Sequence, residues 1–127
     1  MNKPHDQVGL VADPVYRLHD PGEGHPESPA RYDAVLAGIR NAVPKERIKN
    51  IPARPATDDE LAFCHTQEYI RIARHDIEAG LESLSTGDTN ISAASLDAAL
   101  MAAGGVMAAA DAVMAGTVRN AFCAVRP

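Results

Sequence analysis

The chain has 127 residues, with 12 Lys and Arg against 17 Asp and Glu, a formal charge of −5, and 46% hydrophobic residues. These values suit one globular domain and exclude a disordered tail. The acidic balance also argues against a nucleic-acid grip through phosphate neutralisation, because the nearest approach to a basic run, Lys45-Glu46-Arg47-Ile48-Lys49, carries an acid inside it.

The first element is Val8-Gly9-Leu10-Val11-Ala12, a continuous apolar run closed by Asp13-Pro14 that reads as a buried parallel strand. Residues 18–29 follow, with three prolines and two glycines in twelve residues, a stiff loop rather than regular structure. Ser28 as N-cap and Pro29 at the first position then open a helix, on which Tyr32, Val35, Leu36 and Ile39 form one apolar stripe before Pro44. Residues 47–53 read as a weak, edge-like strand, since Pro52 cannot donate to a ladder.

Thr57-Asp58-Asp59-Glu60 is a capping box with acids in the first turn, opening a short helix through Cys64. Thr66 caps the next helix, where Ile70, Ala73 and Ile77 share a face and Gly80 supplies the stop. A second loop, residues 84–90, leads to a long Ala-rich helix over 92–115. Its expected core face is Leu96, Leu100, Ala103, Met107, Ala110 and Met114, with core packing also accounting for Met101. Gly104-Gly105 in its middle costs about 1 kcal/mol each relative to Ala, which predicts close approach of another backbone. After Gly116, Asn120-Ala121-Phe122-Cys123-Ala124-Val125 reads as a further buried strand. Strands alternating with helices predict an α/β fold with a parallel sheet.

No segment meets the length of a membrane span or the apolar core of a secretory signal: the longest uncharged stretch, 98–110, has 13 residues, and a span needs about 20. Cys64 and Cys123 form no CxxC pair, so a reduced, cytoplasmic protein is expected. Cys123, in an apolar strand, reads as a small hydrophobe rather than a nucleophile. Gly22-Glu23-Gly24 sits in an acidic, proline-rich loop unsuited to phosphate. His5, His19, His25, His65 and His75 show no zinc-site spacing and read as hydrogen-bonded loop or surface residues.

Two places carry more. His25-Pro26-Glu27-Ser28-Pro29-Ala30-Arg31 joins a rigid loop to an arginine in a first helical turn, where the helix dipole does not favour a cation. Arg31 pairs there either with a nearby acid such as Glu27 or Asp33, or with a specific anion or carbonyl. Gly87-Asp88-Thr89-Asn90 presents a loop carboxylate before the long helix, either a helix-entry cap or a ligand-facing acid.

At these loops the sequence resembles the zinc-dependent histone deacetylase family, on its class II and bacterial amidohydrolase side. The segment 25–31 looks like its HPExPxR first-loop signature. Gly87-Asp88-Thr89 with Ala102-Ala103-Gly104-Gly105 is similar to its GDT…AAGG segment, and 120–127 to the strand entering its RPPGHH motif. The resemblance implies an arginase/deacetylase-like parallel-sheet domain, of which residues 1–127 form a partial unit with three strands at one end of the sheet. It implies hydrolysis of acetyl-lysine or acetylpolyamine amides, with a zinc that polarises the carbonyl and activates water. Arg31 would line the product channel, Asp88 would accept substrate N–H groups at the rim, and His25, Pro26 and Glu27 would shape the first loop. No catalytic residue and no metal ligand is expected within the chain, because in the family these follow the position of Pro127. The chain alone is therefore expected to be inactive. It is also expected to be marginal or self-associating through the outer edge of its last strand. A non-catalytic interaction module and a defective remnant are the alternatives.

Overall fold

Val8–Val11 forms β1, the middle strand of a three-stranded, all-parallel sheet in the order β2-β1-β3. The computed structural model describes residues 6–127, so His5 lies outside the described residues. The outer strands are β2, Ile48–Asn50, and β3, Asn120–Cys123. Val8 stands opposite both Ile48 and Asn120, and Val11 opposite Cys123. A central strand is flanked on both edges and covered on both faces, which is why β1 is a continuous apolar run. Just beyond the strands, Ile51 N–H donates to the Leu10 carbonyl (2.9 Å) and Ala124 N–H to the Val11 carbonyl (2.8 Å).

Four helices connect the strands: α1, Ala30–Ala42; α2, Asp58–Leu61; α3, Gln67–Glu78; and α4, Ser95–Met114. A 3₁₀ turn, Pro14–Arg17, follows β1 and is capped by Asp13, whose carboxylate accepts from Val15 N–H. The turn buries Tyr16, whose hydroxyl donates to the Met101 carbonyl of α4 at 2.7 Å. Burial, then Asp13, Cys123 and Tyr32, pushes that phenol up to about 12, so it stays neutral and serves as a fixed donor.

Several local expectations match. The Thr57–Glu60 capping box forms with both reciprocal hydrogen bonds, and Glu60 also takes a bidentate pair from Arg54 at 2.8 Å on each oxygen. These bonds hold the Glu60 carboxyl at about 2, the Arg54 guanidinium contributing most. Thr66 caps α3 through Tyr69 N–H, and Gly80 ends it at φ +75°, where a side chain would be strained. In α1, Tyr32 and Leu36 are buried, with Val35 and Ile39 packed beside them. The helix starts one residue later than expected: Pro29 is the cap, and the Ser28 hydroxyl accepts from Ala30 N–H at 3.3 Å. The expected strand over 47–53 shortens to β2, and the short helix through Cys64 ends at Leu61.

The face of α4 is a correction. Ser95, Ala98, Ala102, Gly104, Gly105 and Ala109 are buried, whereas Met114 is 86% exposed. The expected face, Leu96, Leu100, Ala103, Met107, Ala110 and Met114, is not the one turned to the core. The cause is the close approach that the glycine pair predicts. A Cβ on Gly104 would overlap the Arg54 carbonyl oxygen, and one on Gly105 would lie 2.6 Å from the Tyr16 hydroxyl. The backbone of 54–56 crosses α4 there, and Ala56 N–H donates to the Leu100 carbonyl at 2.9 Å. Contact with backbone selects the smallest residues, so the larger ones are displaced to the outside. By length and composition α4 could cross a membrane, a property the 13-residue uncharged stretch does not reveal. Its glycine face packs instead on Val11 and Tyr16.

The last strand is a second correction. Asn120 and Phe122 are exposed and Ala121 and Cys123 half-buried, so β3 leaves one face open rather than being a buried strand.

Candidate functional site

In an open parallel sheet, ligands lie beyond the carboxyl ends of the strands. Here the first loop, the second loop and the end of β3 meet at that edge. Arg126, 1% exposed and the largest fully buried side chain among the described residues, joins the end of β3 to the first loop. Its Nε and Nη2 donate to the two oxygens of Glu27 at 2.7 and 2.6 Å. Its Nη1 donates to the carbonyls of Tyr16 and His19 at 2.6 and 2.9 Å. A planar guanidinium with a fixed fork of donors satisfies a carboxylate and two carbonyls at once, which a lysine cannot do. The hydrogen bonds from Arg126 are the main reason that the Glu27 carboxyl lies below its ordinary value.

His19 lies beside this pair, 5% exposed, with Nδ1 2.7 Å from the Ser95 hydroxyl and Nε2 3.8 Å from the Glu27 carboxylate. Burial first, then the Arg126 charge and a smaller push from His25, lowers its pKa; Glu27 and Asp20 act in the opposite direction. The folded chain therefore holds His19 neutral at pH values where an unfolded histidine, near 6.5, is already taking up a proton. The unfolded state binds more protons in that window, so stability rises with pH there. The contribution is complete above 6.5 and is lost as pH falls from 6.5 towards the folded value. Urea titrations from pH 7.5 to 5.5 should show a fall in stability that a His19→Asn variant lacks. Equal slopes in the two proteins would contradict this assignment.

Further bonds join the loops. Asn90 Nδ2 donates to the Pro21 carbonyl at 2.9 Å, and Asp20 N–H to the Ser92 hydroxyl at 3.1 Å. Ser85 donates its N–H (2.8 Å) and hydroxyl (2.7 Å) to buried Asp76, tying the second loop to α3 and pulling the Asp76 carboxyl down. An apolar cavity of about 230 Å³ lies against this frame, bounded by Ile70, Leu84, Ile91, Leu100, His19 and Pro127.

The residues singled out from sequence are placed unevenly. Arg31 is 60% exposed, lies 3.6 Å from Glu27, and borders a hollow of about 220 Å³ with Phe122 and Val125. Of its two acidic candidates, Asp33 is taken by Arg17 at 2.7 Å, and Glu27 is shared with Arg126. Asp88 is exposed at the second loop and borders none of the described cavities, so Arg31 and Asp88 do not share one. His25 is exposed and accepts from Glu27 N–H at 3.1 Å, while Pro26 is an exposed loop residue. Burial raises the pKa of the Cys123 thiol, in keeping with a small hydrophobe. Among the described residues no three His, Cys, Asp or Glu side chains converge so as to hold a metal ion. These residues do not fit the zinc that the resemblance implies.

The sequence gives Ser95 no signal; it marks His19 only as a hydrogen-bonded loop residue, which it is, and Arg126 only as part of the 120–127 stretch, a lone cation at the end of an apolar strand.

Comparison with known proteins agrees with this geometry. The histone deacetylase domain family matches residues 25–127. A probable deacetylase of Archaeoglobus fulgidus is 32% identical over 94% of this chain and 33% of its own length. Histone deacetylase clr3 of Schizosaccharomyces pombe is 35% identical over 94% of this chain and 20% of its own. Human polyamine deacetylase HDAC10 is 31% identical over 87% and 17%. The crystal structure of the HDA15 HD domain superposes with a TM-score of 0.84 at 29% identity, covering 98% of this chain and 36% of that one. The chain thus spans a third or less of the length of these curated relatives. With the signature segments in order and the parallel sheet superposing over nearly its whole length, this chain belongs to the histone deacetylase domain family.

Proposed function

We propose that the chain forms the entrance frame of a zinc-dependent hydrolase acting on acetyl-lysine or acetylpolyamine amides, in the cytoplasm. The metal ligands and the acid/base groups come from outside residues 6–127. Asp88 accepts substrate N–H groups at the rim, Arg31 lines the path of the released acetate, and His25, Pro26 and Glu27 shape the first loop. Alone, the chain does not hydrolyse acetyl amides. The observation that carries this reading is the joining of the two signature loops at the carboxyl edge of the sheet, in a fold that overlays a histone deacetylase domain.

A chimera of residues 1–127 with the remaining segment of the archaeal relative tests it. A folded chimera should deacetylate an acetyl-lysine peptide or an acetylpolyamine. Asp88→Asn should raise KM about tenfold with little change in kcat, the equivalent of one charge-assisted hydrogen bond at a partly solvated site. Arg31→Ala should lower kcat. A folded chimera that is inactive, or kinetics unmoved by both variants, would contradict the proposal.

The open edge of β3 favours self-association as a second property. Phe122 is 50% exposed beside an unpaired strand edge, a template for another strand. Sedimentation of the chain should show concentration-dependent dimers or larger species, and Phe122→Lys should sediment as a monomer at the same concentration. A monomeric parent chain would remove this property.

A further inference from the structure

We propose that Ser95, His19, Glu27 and Arg126 form a positioning latch that holds the first loop against the start of α4, just after the second loop, and over the end of β3. The contacts run in one direction. Ser92 N–H donates to the Ser95 hydroxyl at 2.7 Å, and that hydroxyl lies 2.7 Å from His19 Nδ1. Nε2 of the same ring faces the Glu27 carboxylate at 3.8 Å, and Arg126 grips that carboxylate with two nitrogens. An anion on the Nε2 side favours the tautomer with the proton on Nε2, so Nδ1 accepts from the Ser95 O–H. Each member then has a defined role, and Ser95, His19 and Arg126 are each 5% exposed or less.

Apolar residues at 19 and 95 would fill this space without the desolvation cost of a polar chain. Hydrogen bonds supply something packing does not, a fixed direction between two segments far apart in sequence. The latch ends beside both proposed functional positions: Glu27 is four residues from Arg31 and 3.6 Å from it, and Ser92 lies four residues after Asp88. Its purpose at an acyl site rests on the function proposed above, whereas the coupling of the loops does not.

The test uses Ser95→Ala in the 127-residue chain, which removes the His19–Ser95 bond while leaving Glu27 paired with Arg126 and the Asn90–Pro21 and Asp20–Ser92 bonds in place. Imidazole nitrogen resonances report the tautomer of His19, and amide exchange reports the loops. In the parent chain His19 should be neutral at pH 7, with its proton on Nε2. In Ser95→Ala the tautomers should mix, and amides of residues 20–25 and 87–90 should exchange about three- to tenfold faster, while those of Ala102 and Ala109 change less than about twofold. Glu27→Gln should shift the tautomer balance in the same way. An unchanged tautomer with unchanged loop exchange in Ser95→Ala would overturn the latch. So would exchange rising equally in α4 and the loops, which is the signature of a merely structural residue. No substrate enters these readouts, so a failed latch and a failed deacetylase reading are told apart.

Discussion

Arg126→Met should lower the folding stability of the chain by about 3 kcal/mol, the low end of the range for removing one partner of a buried ion pair. The low end applies because the Glu27 side chain keeps 27% of its exposure and can be partly rehydrated. The loss has two parts: the bidentate carboxylate bond, and the carbonyls of Tyr16 and His19 left without their donor. Arg126→Lys should recover little, because an ammonium cannot match the fork. Glu27→Gln should also be costly, since it removes the anion that balances the buried Arg126 charge and sets an amide NH2 donor against the guanidinium in place of one carboxylate oxygen. Urea unfolding of the three variants checks this, and a change below about 1 kcal/mol in Arg126→Met would show that the pair is not a main support of the fold.

The same Gly-to-Ala change should have opposite signs in two helices. Gly104→Ala drives a methyl group into the Arg54 carbonyl, an overlap with backbone that side-chain rotation cannot relieve. Overpacking of this kind costs up to about 3 kcal/mol. The helix propensity gained by replacing glycine returns about 1 kcal/mol, so a net loss of about 2 kcal/mol is expected. Gly38, in α1, is exposed, and a methyl group added there would meet nothing within 4 Å. Gly38→Ala should therefore stabilise the chain by about 0.5–1 kcal/mol. Thermal or urea unfolding of the pair measures both. If Gly104→Ala stabilised the chain as Gly38→Ala does, the crossing of 54–56 over α4 would be wrong.

Local chemistry was legible wherever the deciding partners are close in sequence. The Thr57–Glu60 box, the Thr66 cap, the Gly80 stop and the α1 stripe each depend on residues within a few turns of one another. The buried, parallel character of β1 was legible from its unbroken apolar run, but not its middle place in the sheet. What failed depends on distant contacts. The buried face of α4 is set by a backbone crossing near residue 54, so residue size, not hydrophobicity, decides which side faces in. A rule that buries Leu and Met selects the wrong side of such a helix. The partner of Arg126 is hidden in the sequence because its acid stands 99 residues earlier. His19 and Ser95, 76 residues apart, are unremarkable as sequence and become a pair only when the loops meet. Arg31 illustrates the reverse case: the sequence marks it, but Glu27, its nearest acid, is chiefly engaged elsewhere.

On the function proposed above, the described residues frame an acetyl-amide site and its metal centre is built from elsewhere. Dialysis of the purified, folded chain against micromolar zinc, followed by metal analysis after a chelating wash, tests this most directly. Far less than one zinc per chain, and an unfolding midpoint that does not move with zinc, are expected. One ion retained per chain, with a midpoint that rises with zinc concentration, would contradict this.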